Sequence, residues 1–276
     1  MKRYRISTFS LDATRNVFSD RFPKEAAMAL MKKDMEASMK SRYGEFGFDQ
    51  KFERYMVLEK PALSIVAEHS GLLEDICSAY VMGNLYSALT GACCLGERIF
   101  NDILFKVMDD FKSSTHYKTI YDKGSITDWD KAITILCDWK IIDDIVKTKY
   151  LRLARLRNES VHFQKKEQDL TKMSLEAINL VNSIISHLFS IDQHRKDILL
   201  YFDVPGELFI KKEAEKNPLV KAFYIPCSVL VGPQYEMGYD TPSGKFTVSD
   251  KPSYKQKDIS DAEFVRLRNE HTGKTK

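Results

Sequence analysis

The sequence predicts a mainly α protein: an antiparallel helical bundle with additional N-terminal helices and a small β-rich C-terminal appendage. Three observations carry this. Leu85, Leu89, Leu95, Ile99, Ile103, Leu104 and Val107 recur at three- and four-residue steps, the period of a helix with one apolar face. Helix-forming stretches alternate with short Gly-, Pro- or Asp-containing breaks up to about residue 200. After Pro205-Gly206 the composition shifts to Phe, Tyr, Ile and Val with turn residues between them.

The elements follow in chain order. Arg3 to Phe9 is β-branched and aromatic and reads as a short strand, followed by a loop through Asp12, Asn16 and Pro23. Lys24 to Arg42 is dominated by Ala, Met, Lys and Glu, a helix that Gly44 and Gly47 stop. A second helical stretch covers Phe52 to Glu68 and is bounded or broken by Pro61. The long pattern from Gly71 to Phe111 contains Gly83, Gly91 and Gly96. Each glycine costs about 1 kcal/mol against Ala within a helix, so each either breaks the segment or admits another helix closely. Thr127 with Asp130 resembles an N-cap arrangement, and Trp129, Ile133, Leu136 and Trp139 form the stripe behind it. Lys149 to Gln164 and Met173 to Leu200 complete the bundle. In the appendage, Ala222 to Val231 is apolar, Pro-Ser-Gly at 242–244 is a turn, Lys245 to Val248 returns as a strand, and Ser260 with Glu263 caps a last helix. The organisation expected is an N-terminal strand and helical extension at 1–70, the bundle at 71–204, and the appendage with a polar tail at 205–276.

Composition excludes several classes. The 276 residues carry 42 Lys and Arg against 39 Asp and Glu, so bulk charge does not announce a nucleic-acid binder and any basic site must be local. No apolar run approaches the roughly 20 residues of a membrane span, and the opening MKRYRISTFSLD has no apolar core, so a cytoplasmic protein without membrane contact is expected. Five cysteines, two of them the adjacent Cys93 and Cys94, suit a reduced compartment.

Charge concentrates in one place. Residues 140–166 hold eight Lys and Arg and three Asp and Glu, whereas residues 66–138 hold eleven acids and six bases. Within LRLARLRNESVHF at 151–163, the helical step of about 100° puts Arg152, Arg155, Asn158, Glu159 and His162 on one polar arc. Arg157 falls among Leu153, Ala154 and Val161 instead. A guanidinium on an apolar arc must be paired or face a cleft. A basic helix around a His suits a phosphate backbone, because Lys and Arg neutralise phosphates and imidazole exchanges protons near neutrality. A solvated basic face complementing an acidic neighbour is the plainer alternative.

Arg157-Asn158-Glu159-Ser160-Val161-His162 resembles the signature of the HEPN superfamily: an Arg, a polar residue, three variable residues and a His. The spacing recurs at Arg266 and His271, but there Leu267 follows the Arg. The resemblance extends from about Gly71 to Leu200, where a long helix, a Trp-bearing helix, the motif helix and a closing helix follow in HEPN order. It implies a metal-independent ribonuclease, or an RNA-binding or interaction relative without activity. It also implies a homodimer with two motifs on a shared cleft, and a toxin or antiviral-defence role with a possible antitoxin or defence partner protein. The toxin subgroup with Tyr two residues after the His is not matched, since Gln164 stands there. On this reading Arg157, Asn158 and His162 are catalytic, Lys149, Arg152, Arg155 and Lys165 bind RNA, and neither metal nor cofactor is required. His162 takes or gives the proton and Arg157 stabilises the charge that builds on the phosphorane.

Other candidates are weaker. His187 and His194, seven apart on one helix, lie about 10.5 Å apart along its axis, too far for one metal ion. Gly91 and Gly96 have phosphate-loop spacing, but Glu97 stands where Lys is needed, which favours helix packing. Asp109-Asp110 and Asp143-Asp144 diverge by about 100° on a helix and form no dyad by themselves. Trp129 and Trp139 read as core residues rather than a stacking platform for bases.

Overall fold

A computed structural model describes residues 1–6, 26–59, 61–62, 64–161, 169–191, 201–204, 207–251 and 258–273. The chain is mainly helical and divides into two compact units, Ser10–Asp192 and a second made of Met1–Phe9 with Gln193–Lys276. The loop read at Asp12 to Pro23, His162, Gln164, Lys165 and His194 lie outside the described residues.

The larger unit is helical. Its elements are α1 (Ala26–Tyr43), α2 (Phe48–Met56), α3 (Ala67–Met82), α4 (Leu85–Val107), the short α5 (Tyr117–Ile120), α6 (Trp129–Asp138), α7 (Asp144–Val161) and α8 (Leu170–Phe189). The stretch from Phe52 to Glu68, expected to be bounded or broken by Pro61, is broken: α2 ends at Met56 and α3 begins at Ala67. Pro61 cannot donate a backbone hydrogen bond, and the segment instead straps onto α8, with Ala62 N donating to Asn182 and Ile65 N to the Phe189 carbonyl.

Helix α4 lies at the centre and touches α3, α6, α7 and α8, which explains why Ala88, Leu89, Ile99, Phe100, Ile103 and Leu104 are all fully buried. The three glycines of this region divide between the two roles expected of them. Gly83 adopts φ 86° and closes α3, and Arg54 donates to the Val81 carbonyl beside it. Gly91 and Gly96 stay inside α4 and admit neighbours: a Cβ there would meet Ile76 at 3.0 Å and Leu153 at 2.5 Å. Since Gly91 and Ile76 lie at similar distances either side of the Gly83-Asn84 turn, α3 and α4 run antiparallel.

In the second unit, β1 (Arg3–Ile6), β2 (Tyr201–Val204), β3 (Glu207–Ile210) and β4 (Ser228–Val231) form an antiparallel sheet ordered β2-β3-β1-β4. The first strand therefore belongs to the C-terminal sheet, not to an N-terminal extension, with Arg5 opposite Val229 and Phe209 on its two sides. The apolar stretch from Ala222 is strand only at its end. Val220–Tyr224 is a π-helical turn and Ile225–Cys227 a 3₁₀ turn, before β4. A separate hairpin pairs β5 (Glu236–Asp240) with β6 (Lys245–Ser249) around the expected turn. Helix α9 (Asp261–Thr272) starts as expected, the Ser260 hydroxyl accepting from Glu263 N, and packs Phe264 against Val204, Phe209, Val231 and Tyr235.

Candidate functional site

The site is built where the start of α6 meets the middle of α7. Asp128, not Thr127, is the N-cap of α6: its carboxylate accepts from Lys131 N at 3.0 Å. This fixes Trp129 as the first helical residue and buries its indole against Phe100 and Tyr150, the core role expected of it. Trp139 is buried likewise and stacks on Phe111.

Glu97, on α4, organises what surrounds that indole. It accepts the Trp129 Nε1 hydrogen bond at 2.9 Å and lies 3.5 Å from an Arg157 guanidinium nitrogen. The Arg157 guanidinium also lies 5.8 Å from the centre of the Trp129 ring. The cation that sits oddly on the apolar arc of α7 is therefore paired with a carboxylate and an aromatic ring. Gly96 makes this possible, because a side chain there would collide with Leu153 and the Trp129 ring. Cys93, one turn earlier on α4, is buried, which pushes its thiol up to about 12 despite the nearby Arg157 charge. It is no nucleophile at neutral pH. All five cysteines are free.

Beside this cluster lies an open cleft of about 480 Å³ lined by Thr127, Asp128, Trp129 and Asp130 from the start of α6 and by Leu151, Ala154, Arg155, Arg157 and Asn158 from α7. The structure thus brings Arg155, Arg157 and Asn158 together. Arg152 and Lys149 point elsewhere. Arg152 makes two hydrogen bonds, at 2.6 and 2.7 Å, to Glu176 of α8, and Lys149 donates to Ser183 of the same helix. The Arg152 pairing lowers the Glu176 carboxyl below its usual range. The sequence singled out Glu97 only as the residue that stands where a phosphate loop needs Lys, and Asp130 only beside Thr127 in a capping pattern. Glu97 sits about sixty positions from Arg157, and no local pattern joins the two.

The remaining candidates resolve into structural roles. His187 lies 2.8 Å from Asp143, which also caps α7 by accepting from Val146 N. Arg266, in the repeated spacing, pairs with Glu263 and Glu270 of its own helix. Among the described residues, no group of three or more His, Cys, Asp and Glu side chains is arranged to hold a metal ion, and no helix is long and apolar enough to cross a membrane. No protein-family model matches the sequence, and neither a curated protein nor a solved structure proved similar to it.

Proposed function

We propose that the chain is an endoribonuclease of the HEPN kind, cleaving RNA by attack of the substrate's own 2′-hydroxyl. The observation that supports it is the cleft in which two guanidinium groups and a carboxamide, Arg155, Arg157 and Asn158, converge on one turn of the motif helix. Two cations lining a concave site match a phosphodiester that gains negative charge in the transition state. In the reaction, His162 removes the 2′-hydroxyl proton, the 2′-oxygen bonds to phosphorus, and the bond to the 5′-oxygen breaks as that oxygen takes up a proton. The products are a 2′,3′-cyclic phosphate and a 5′-hydroxyl. One His per chain serves as base or acid, so a homodimer with two motifs on one cleft supplies both. A toxin or antiviral-defence role, with an antitoxin or defence partner, belongs to the same reading.

The ion pair between Arg157 and Glu97 favours a second reading, an RNA-binding or interaction module in which Arg157 holds the fold rather than the substrate. One experiment separates them. Labelled RNA and DNA of matched sequence are incubated with the purified protein, with and without chelator, and fragment ends are analysed. The ribonuclease reading expects RNA cut to 2′,3′-cyclic ends regardless of chelator, DNA intact, and loss of at least a hundredfold in rate in His162→Ala and Arg157→Ala but not in Arg266→Ala or His271→Ala. Chelator-sensitive cutting, cutting of DNA, or full activity in His162→Ala overturns it. An intact RNA, bound but uncut, supports the module.

A further inference from the structure

The polar groups of the basic helix divide into those already spent on protein partners and those that are not. Arg152 is held by Glu176, Lys149 by Ser183, Arg157 by Glu97, and the Asp128 carboxylate by Lys131 N. By contrast, among the described residues no hydrogen bond or ion pair engages the side chains of Arg155, Asn158 or Asp130, although all three line the same cleft. A guanidinium, a carboxamide and a carboxylate that share a concavity without pairing with each other are available to a ligand carrying both an anion and hydrogen-bond donors. The cleft, at about 480 Å³, lies in the range of about 300–1,000 Å³ that small ligands occupy. Leu151 and Ala154 add apolar wall for a flat ring.

The geometry points to a guanine-binding pocket in which Asp130 reads the base while Arg155 holds its phosphate. The choice of base follows from what a carboxylate is able to do, which is only to accept. Guanine presents N1–H and N2–H side by side on one edge, two donors for the two oxygens of Asp130. Uracil presents one donor between two carbonyl oxygens, which a carboxylate repels. Adenine and cytosine each place a bare ring nitrogen, an acceptor, beside their single amine. Asn158 offers an N–H to guanine O6 or N7, the acceptors of its remaining edge. Asp130 also sits in the first turn of α6, where a negative charge stabilises the helix whatever else it does, so stability alone does not reveal its role.

This pocket takes its biological purpose from the ribonuclease reading, but its test does not require cleavage. Guanosine, inosine, adenosine, cytidine and uridine 5′-monophosphates are titrated by calorimetry into the wild-type protein and into Asp130→Asn and Asp130→Ala, with circular dichroism to establish folding. Separately, RNA oligonucleotides varied at single positions are mapped for cleavage. We expect guanosine monophosphate to bind at least tenfold more tightly than the other three common nucleotides. Inosine monophosphate, lacking the 2-amine, should fall between, and both variants should lose the preference while still folding. Equal binding of all four, or a guanine preference retained in Asp130→Ala, overturns the pocket. Guanine-selective binding without RNA cleavage leaves the pocket standing and removes the ribonuclease reading. RNA cleaved with no base preference and no selective nucleotide binding does the reverse.

Discussion

Buried polar side chains in this molecule differ in how they are compensated. Arg268 is held by two hydrogen bonds to Glu207, by the Tyr235 carbonyl and by the face of the Tyr235 ring 4.0 Å away. Burial pushes the Glu207 carboxyl up, but the bonds from Arg268 and Tyr235 outweigh it and leave it below the usual range. His69 has no such compensation. It lies 1% exposed against Phe189, its Nδ1 without a hydrogen-bond partner, and burial lowers its pKa to about 4. The unfolded chain protonates this imidazole near 6.5, so below that pH the unfolded state holds a proton that the folded state refuses. The stability is complete above about pH 6.5 and is lost as the pH falls towards 4, a change on the order of 3 kcal/mol. Urea denaturation at several pH values should show that slope in the wild type and a flatter one in His69→Phe. An unchanged slope in the variant would assign it to the carboxylates instead.

The meeting of α4 and α7 depends on a missing side chain. At Gly96 an added methyl would lie 2.5 Å from a Leu153 methyl group, and Leu153 is itself fully buried, with nowhere to turn. Gly96→Ala should therefore force the two helices apart and destabilise the protein by about 1–3 kcal/mol, despite the better helix propensity of Ala. Gly91→Ala faces only the Ile76 side chain at 3.0 Å and should cost less. Denaturation midpoints of the two variants check the order, and a more stable Gly96→Ala would refute the close approach. Because the same contact seats Trp129 and Glu97 beside Arg157, the proposed ribonuclease reading expects the first variant to weaken RNA cleavage more than the second.

On the scale of the whole molecule, the chain's first strand is inserted between strands from its last third. β1 pairs with β3 on one side and β4 on the other, and Arg3, buried, reaches Asp261 at the start of α9 with a 2.7 Å bond. Deleting residues 1–6 should remove the strand that joins β3 to β4 and expose Phe209 and Val231. Hydrogen exchange is expected to accelerate by more than tenfold at residues 207–210 and 228–231 while amides of α4 stay protected. Unaltered protection of the sheet would show that β1 is dispensable.

Features set by neighbours in sequence were legible in it: the α4 periodicity, the Ser260 cap of α9 and the anomaly of Arg157. Caps and helical faces depend on residues within one or two turns, so a linear pattern determines them. The sequence even posed the right question of Arg157, since a charge on an apolar arc demands a partner. It could not name Glu97, because the partner lies on another helix and only packing brings it near. For the same reason it grouped Lys149 and Arg152 with Arg155, whereas α8 draws the first two to Ser183 and Glu176. Strand pairing is equally non-local: β1 reads as a strand from its own residues, but which edge it joins is decided by hydrogen bonds to segments some two hundred positions away.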